Sequence, residues 1–123
     1  MTKRISCSMT VEAVKDRSKT VTRRHVDTWQ TLKAGDRLTI VEKAMGLPKG
    51  AKQVVLAEVE IIDVRVEDLG AIQLEDDGTT VEGLPQLSWP LFVRFWCESH
   101  GYRDLSLYHA VEVQCRRIEW RYL

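Results

Sequence analysis

What this sequence has little of narrows its possible functions. Cysteine is scarce: Cys7, Cys97 and Cys115 are odd in number, far apart and never spaced as Cys-x-x-Cys. Neither a disulfide framework nor a structural zinc site is expected from such a set, and reduced thiols point to the cytoplasm. His25, His100 and His109 lack the spacing of a metal site, so no metal or cofactor is expected. No apolar run approaches the roughly 18–20 residues that a membrane span needs. The N-terminal "MTKRISCSMT" carries basic residues without an apolar stretch behind them, so no signal peptide and no membrane partner are expected. The signatures Gly-x-Gly-x-x-Gly, P-loop and Gly-x-Ser-x-Gly are all missing, which disfavours nucleotide-triphosphate chemistry and a serine-hydrolase elbow.

Net charge is missing as well, since 18 Lys and Arg balance 18 Asp and Glu. The distribution is uneven. Residues 1–37 carry nine basic side chains against four acidic ones, whereas residues 54–82 carry nine acidic side chains against Arg65 alone. Such a layout either focuses a positive field over one face or lets the two regions neutralise each other in the fold. With 123 residues, 44% of them hydrophobic, and four tryptophans, the chain has the size of a single domain (residues 1–123) and can bury its own core.

Local patterns suggest short elements. Arg4 to Met9 alternates as a strand does, and Thr10 is placed to cap a short helix over Val11–Arg17, with Glu12 in its first turn. The β-branched Lys19–Arg24 segment predicts extended chain, followed by a turn between Asp27 and Asp36. Arg37–Ala44 reads as a strand and the glycines and proline of residues 46–50 as a loop. Gln53–Val66 is a strand long enough to need a bend or bulge. Glu67–Leu74 reads as one helical turn and "EDDGTT", residues 75–80, as an acidic loop. Ser88 caps the clearest helix, which aligns Phe92, Phe95 and Trp96 on one face and stops at Gly101. His100 falls at its C-terminus, where a cation is favoured, and His109 is expected to begin the closing strand. In that strand, residues 110–123, the double arginine interrupts the alternation. The fold class expected is α+β, mainly β: a small curved or closed sheet with short helices at its mouth.

The densest chemistry lies in "KTVTRR", residues 19–24. Threonine is a weak nucleophile until something takes its proton, and a lysine in a desolvated pocket can do so because burial disfavours the ammonium. A local bend would bring Lys19 to Thr22, with Arg24 as an anion or carbonyl clamp. The bland alternative is cross-strand packing of a Thr-x-Thr pair. Glu82, before Gly83 and the aromatic helix, is either an acid/base carboxylate or an ordinary turn residue. Trp29 and Trp89 flank polar stretches and could stack on a base, or be partly buried at helix ends.

"KDRSKTVTRR" followed by "WQTLKAGDRLTI" resembles the ASCH domain, a branch of the PUA-like β-barrels, including small bacterial and phage members. "RVEDLGAI", then "VEGLPQLSWPLFVRFW" and the closing "RIEWRYL", fit the same order over nearly the whole chain. The resemblance implies a PUA-like barrel whose cleft faces RNA or a modified nucleoside. Some small members are amidohydrolases that remove the acetyl group of N(4)-acetylcytidine with a lysine, a threonine and a glutamate. By position these correspond to Lys19, Thr22 and Glu82, with Arg24 on the arginine of the pattern. Thr20, Arg23, Arg24, Trp29 and Trp89 are the ligand- or RNA-binding candidates. Arg23 departs from the amidohydrolase-like sequences, which tend to be apolar there. Two rival readings stay open: a non-catalytic RNA-binding module with Lys19, Arg23 and Arg24 on phosphates, and a metal-assisted ribonuclease using Glu75, Asp76 and Asp77.

Overall fold

The computed structural model describes residues 3–44 and 46–123. In chain order its elements are β1 (Lys3–Ser6), α1 (Val11–Lys15), β2 (Val21–His25), β3 (Arg37–Val41), β4 (Val55–Asp68), a 3-10 helix (Leu69–Leu74), α2 (Gly78–Val81), α3 (Trp89–Ser99), α4 (Leu107–Ala110) and β5 (Gln114–Tyr122). The strands form one five-stranded sheet in the order β1-β3-β4-β5-β2, with β1 parallel to β3 and the other pairings antiparallel. β1 and β2 are therefore the two edges. Yet Arg24 Nη2 on β2 donates to Ser6 O on β1 at 2.6 Å. The sheet has curled until its edges nearly meet, giving a half-barrel with short helices around it. None of the described helices is long and apolar enough to cross a membrane.

A single residue governs which side chains face inward along the second half of β4. β4 pairs Ile61 with Trp120 and then Asp63 with Glu119, so Ile62 is a bulge without a partner. Side chains alternate along a strand, and one extra residue reverses the alternation beyond it. Before the bulge Val59 and Ile61 face the concave interior with Leu38, Ile40, Ile118 and Trp120. After it Asp63, Arg65 and Glu67 turn to the convex face, opposite Glu119, Arg117 and Cys115. A second cluster, Leu69, Ile72, Phe92, Val93, Trp96, Cys97, Ala110 and Cys115, covers part of that convex face. β5 thus buries Cys115 and Arg117 outward and Ile118 and Trp120 inward. The alternation does not end at the double arginine; the buried face changes sides.

Several boundaries differ from the sequence expectation. β1 ends at Ser6, α1 at Lys15 and β3 at Val41. Thr10 and Ser88 occupy N-cap positions, but neither side chain caps. The acidic loop stops at Asp77, because Gly78 opens α2. That glycine is there for closeness: a Cβ would come within 2.6 Å of Ile72 Cγ1. His109 lies in α4, whose Ser106 accepts from its backbone N–H, and the closing strand starts only at Gln114. Cys7, Cys97 and Cys115 are free and buried, and burial pushes the Cys115 thiol up to about 12.

Candidate active site

The site begins with how the chain delivers Glu82. Lys19 N–H donates to Ala13 O at 3.0 Å and Thr20 N–H to Val81 O at 2.9 Å, stitching the start of β2 to α1 and α2. Gly83 follows Glu82 with φ +89°, and a Cβ on it would sit 3.0 Å from both Thr10 and Ala13. Only glycine both adopts this backbone readily and lets the turn lie against α1. Glu82 is consequently held beneath α1, beside β2, with 4% exposure.

There it meets the basic hexapeptide. Lys19 Nζ donates to Val21 O at 2.8 Å and Glu82 O at 2.5 Å, and stands 3.6 Å from Glu82 Oε1. The Lys19 side chain is buried, 5.9 Å from the centre of the Trp120 ring. Burial pulls the ammonium below the ordinary lysine range, with Glu82 offsetting part of the effect. Thr22, also buried, accepts from Arg24 Nε at 3.0 Å. Lys19 makes its hydrogen bonds to the two carbonyls and none to Thr22, so Lys19 and Thr22 share a wall without being directly joined.

Arg23 has a different role from the one its sequence position suggested. Its side chain has no exposed surface, and it binds Glu82 Oε2 at 2.8 Å, Glu67 at 3.5 Å, and Glu75. Buried among three carboxylates, it orients Glu82 and has no surface to offer a phosphate. Burial alone would lower its pKa, but Glu82, Glu75 and Glu67 outweigh that and keep it charged. Register extends the pattern: Arg23, Arg117 and Arg65 form one row across β2, β5 and β4. Arg117 binds Glu75 at 2.8 Å and Glu119 at 2.9 Å, while Arg65 binds Glu67 at 2.8 Å and Asp63 at 3.1 Å. The basic N-terminal region and the acidic middle region of the sequence therefore neutralise each other here. With Glu75 committed to two arginines, the Glu75-Asp76-Asp77 run does not form a ligand set. Among the described residues no three His, Cys, Asp or Glu side chains converge as one.

A cleft enclosing about 200 Å³ opens onto this wall. Its lining includes the polar group Lys19, Thr22, Arg23, Arg24 and Glu82 and, from α3 and the turn before it, Leu84, Phe92, Phe95, Trp96 and His100, with Cys7 and Met9 from the β1–α1 turn. Of the sequence candidates, Thr20, Trp29 and Trp89 are not in its lining. Thr20 spends its backbone on Val81 and Trp120, Trp29 packs on the concave core, and Trp89 on the convex cluster. The aromatic part of the lining comes instead from the middle of α3. Its helical spacing was legible, but nothing local distinguishes a core aromatic from one that borders a cleft. His100 was missed as a lining residue. It lies flat on Trp96, ring centres 3.8 Å apart, and its Nδ1 bonds Trp96 O at 2.7 Å. Burial lowers its pKa, and the charges of His25 and Arg24 add to that, against the helix-end preference for a cation.

No protein-family model and no curated protein matches this sequence. Solved structures do match its fold. The crystal structure of the hypothetical protein PH0355 superposes with a TM-score of 0.62 at 18% identity, covering 100% of both chains. Protein EF3133 from Enterococcus faecalis V583, assigned to DUF984, gives a TM-score of 0.64 at 14% identity over 100% of this chain and 80% of its own. At such identities the likeness is one of architecture: the chain shares a small curled β-sheet fold with these two proteins.

Proposed function

We propose that this protein is an ASCH-type, PUA-like domain whose cleft takes a modified nucleoside and hydrolyses an amide on its base, N(4)-acetylcytidine being the model substrate. The observation that carries the reading is the meeting of buried Lys19, Thr22 and Glu82 in the lining of one cleft that Phe92, Phe95 and Trp96 also line. Three ionisable or nucleophilic groups with so little water around them are costly unless paired, and such arrangements cluster at functional sites.

The resting state is the Lys19 ammonium beside the Glu82 carboxylate. Moving one proton across the 3.6 Å gap to Glu82 Oε1 gives a neutral amine and a carboxylic acid. Arg23 occupies Oε2, which leaves Oε1 to carry that proton. The neutral Lys19 amine turns from the Val21 carbonyl toward Thr22, whose Oγ1 attacks the acyl carbon as its proton passes to Lys19, and Arg24 holds the oxyanion. Collapse of the tetrahedral adduct breaks the C–N bond, and Glu82 gives its proton to the departing amine. The acyl-threonine is released by water, and the ion pair is restored.

Purified protein incubated with N(4)-acetylcytidine should yield cytidine and acetate. Thr22→Ala and Lys19→Met should each cut kcat by a factor of about 10² or more. Turnover that survives both substitutions sinks the mechanism. The rival RNA-binding reading needs cations at the surface, and of Lys19, Arg23 and Arg24 only Arg24 is more than marginally exposed.

A further inference from the structure

Among the described residues His100 is the one titratable group that α3 and its C-terminal end place in the cleft lining, and the mechanism above does not use it. Its Nδ1 faces the Trp96 carbonyl oxygen at 2.7 Å. A carbonyl only accepts, so Nδ1 must carry the hydrogen. In the neutral ring that assignment leaves Nε2 as a bare lone pair. Among the described residues Nε2 has no hydrogen-bond partner, and it is not among the buried polar atoms left unpaired. The half-buried ring is pinned from two directions, by its stack on Trp96 and by the Nδ1 bond. Trp96 is itself fixed, its indole N–H donating to Arg23 O at 2.8 Å. A ring that lines the cleft is thus held rigidly with its acceptor unengaged, one aromatic ring away from the residue that orients Glu82. The polar part of the lining offers mostly donors: Arg24 presents a guanidinium, and the two amine contacts of Lys19 are already made.

We propose that His100 is a specificity-determining residue: its Nε2 accepts a hydrogen bond from an O–H or N–H donor on the nucleoside held in the cleft. The proposal rests on the nucleoside reading above but not on hydrolysis. A pre-positioned acceptor binds its donor with little loss of side-chain freedom, and it rejects a ligand lacking that donor because the lone pair is then left unmet. The donor comes either from a sugar hydroxyl or from the exocyclic nitrogen of the base.

The test reads the ring nitrogens of His100 directly, by ¹⁵N NMR of the intact protein with and without millimolar cytidine. The expected free state has the hydrogen on Nδ1, and cytidine should shift the Nε2 resonance toward that of a hydrogen-bonded acceptor. Deoxycytidines lacking the 2′-, 3′- or 5′-hydroxyl, and N(4),N(4)-dimethylcytidine, then identify the donor: one of them should bind several-fold more weakly and leave Nε2 unmoved. His100→Phe, which keeps a flat ring on Trp96, should weaken cytidine binding roughly five- to tenfold. A hydrogen found on Nε2, an Nε2 resonance indifferent to cytidine, unchanged affinity in His100→Phe, or no nucleoside binding at all would each overturn the proposal. Intact N(4)-acetylcytidine alongside a responsive Nε2 removes hydrolysis and leaves this inference standing; turnover with a silent Nε2 does the reverse.

Discussion

The concave and convex faces of the sheet are made by the same strands, and they are held by different physics. Inside the curl, Leu38, Ile40, Val59, Ile61, Ile118 and Trp120 pack as an apolar cluster, with the buried Lys19 amine 5.9 Å from the Trp120 ring centre. Contacts of that kind have no direction, and what matters is that volume is filled. Outside, over β2, β5 and β4, three arginines alternate with carboxylates in a lattice that is buried around Arg23 and Arg117 and open to solvent at Arg65. Here direction is everything, since each guanidinium must point at an acceptor. Even so, the Nε atoms of Arg23 and Arg117 find none. The apolar face makes the sheet curl. The charged face decides where one carboxylate, that of Glu82, is held. A buried ion pair adds little net stability when complete and costs much when half is removed.

Substitutions on each face separate the two kinds of packing. The largest loss should follow Trp120→Ala, a fully buried ring whose removal leaves a cavity; about 3–5 kcal/mol is expected from urea unfolding. Arg23→Ala should cost about 3 kcal/mol, because three carboxylates lose a shared partner, and under the proposed mechanism it should also abolish deacetylation by freeing Glu82. If Arg23→Ala proves neutral in stability, the convex lattice is ornamental and the contrast fails. The smallest effect concerns acid. Burial by itself would raise the pKa of Glu75, but Arg117 and Arg23 outweigh it and hold the carboxyl below its ordinary value of 4.5. A carboxyl whose folded pKa is depressed stabilises the fold above the unfolded value, and that contribution disappears as pH falls through the folded one. Unfolding midpoints of the wild type should therefore drop more steeply below about pH 4.5 than those of Glu75→Gln; parallel acid limbs would show that the Glu75 pairs are solvent-screened.

Much of the architecture could be read from local pattern. The extended hexapeptide, the long bulged strand, the aromatic helix and the glycine stop after it all follow from periodicity and turn chemistry. The elements that were misplaced have non-local causes. Gly78 looks like a loop residue until Ile72 is seen against it, and His109 looks like strand until Ser106 is recognised as a cap. Lys19, Thr22 and Arg24 stand out in the sequence because polar and cationic side chains crowd one hexapeptide, whereas Glu82 stands out only by its place before Gly83 and the aromatic helix and by the family resemblance. Arg23 was legible as a departure but not as to its role, since its three partners lie 44 to 59 residues away. Trp29 and Trp89 were chosen for their polar flanks, yet burial depends on which side of the sheet a segment reaches, and flanking residues do not encode that.

Ile62 makes the point in its sharpest form. Because orientation flips with each successive residue, the outer half of β4 has a parity, and this one unpaired residue sets it. Substitutions along Asp63–Asp68 can be accommodated one at a time. A change in the number of residues before them would exchange inside for outside, turning Arg65 and Glu67 toward the apolar interior and Val64 toward the arginine row. The strand can therefore drift in composition but not in count.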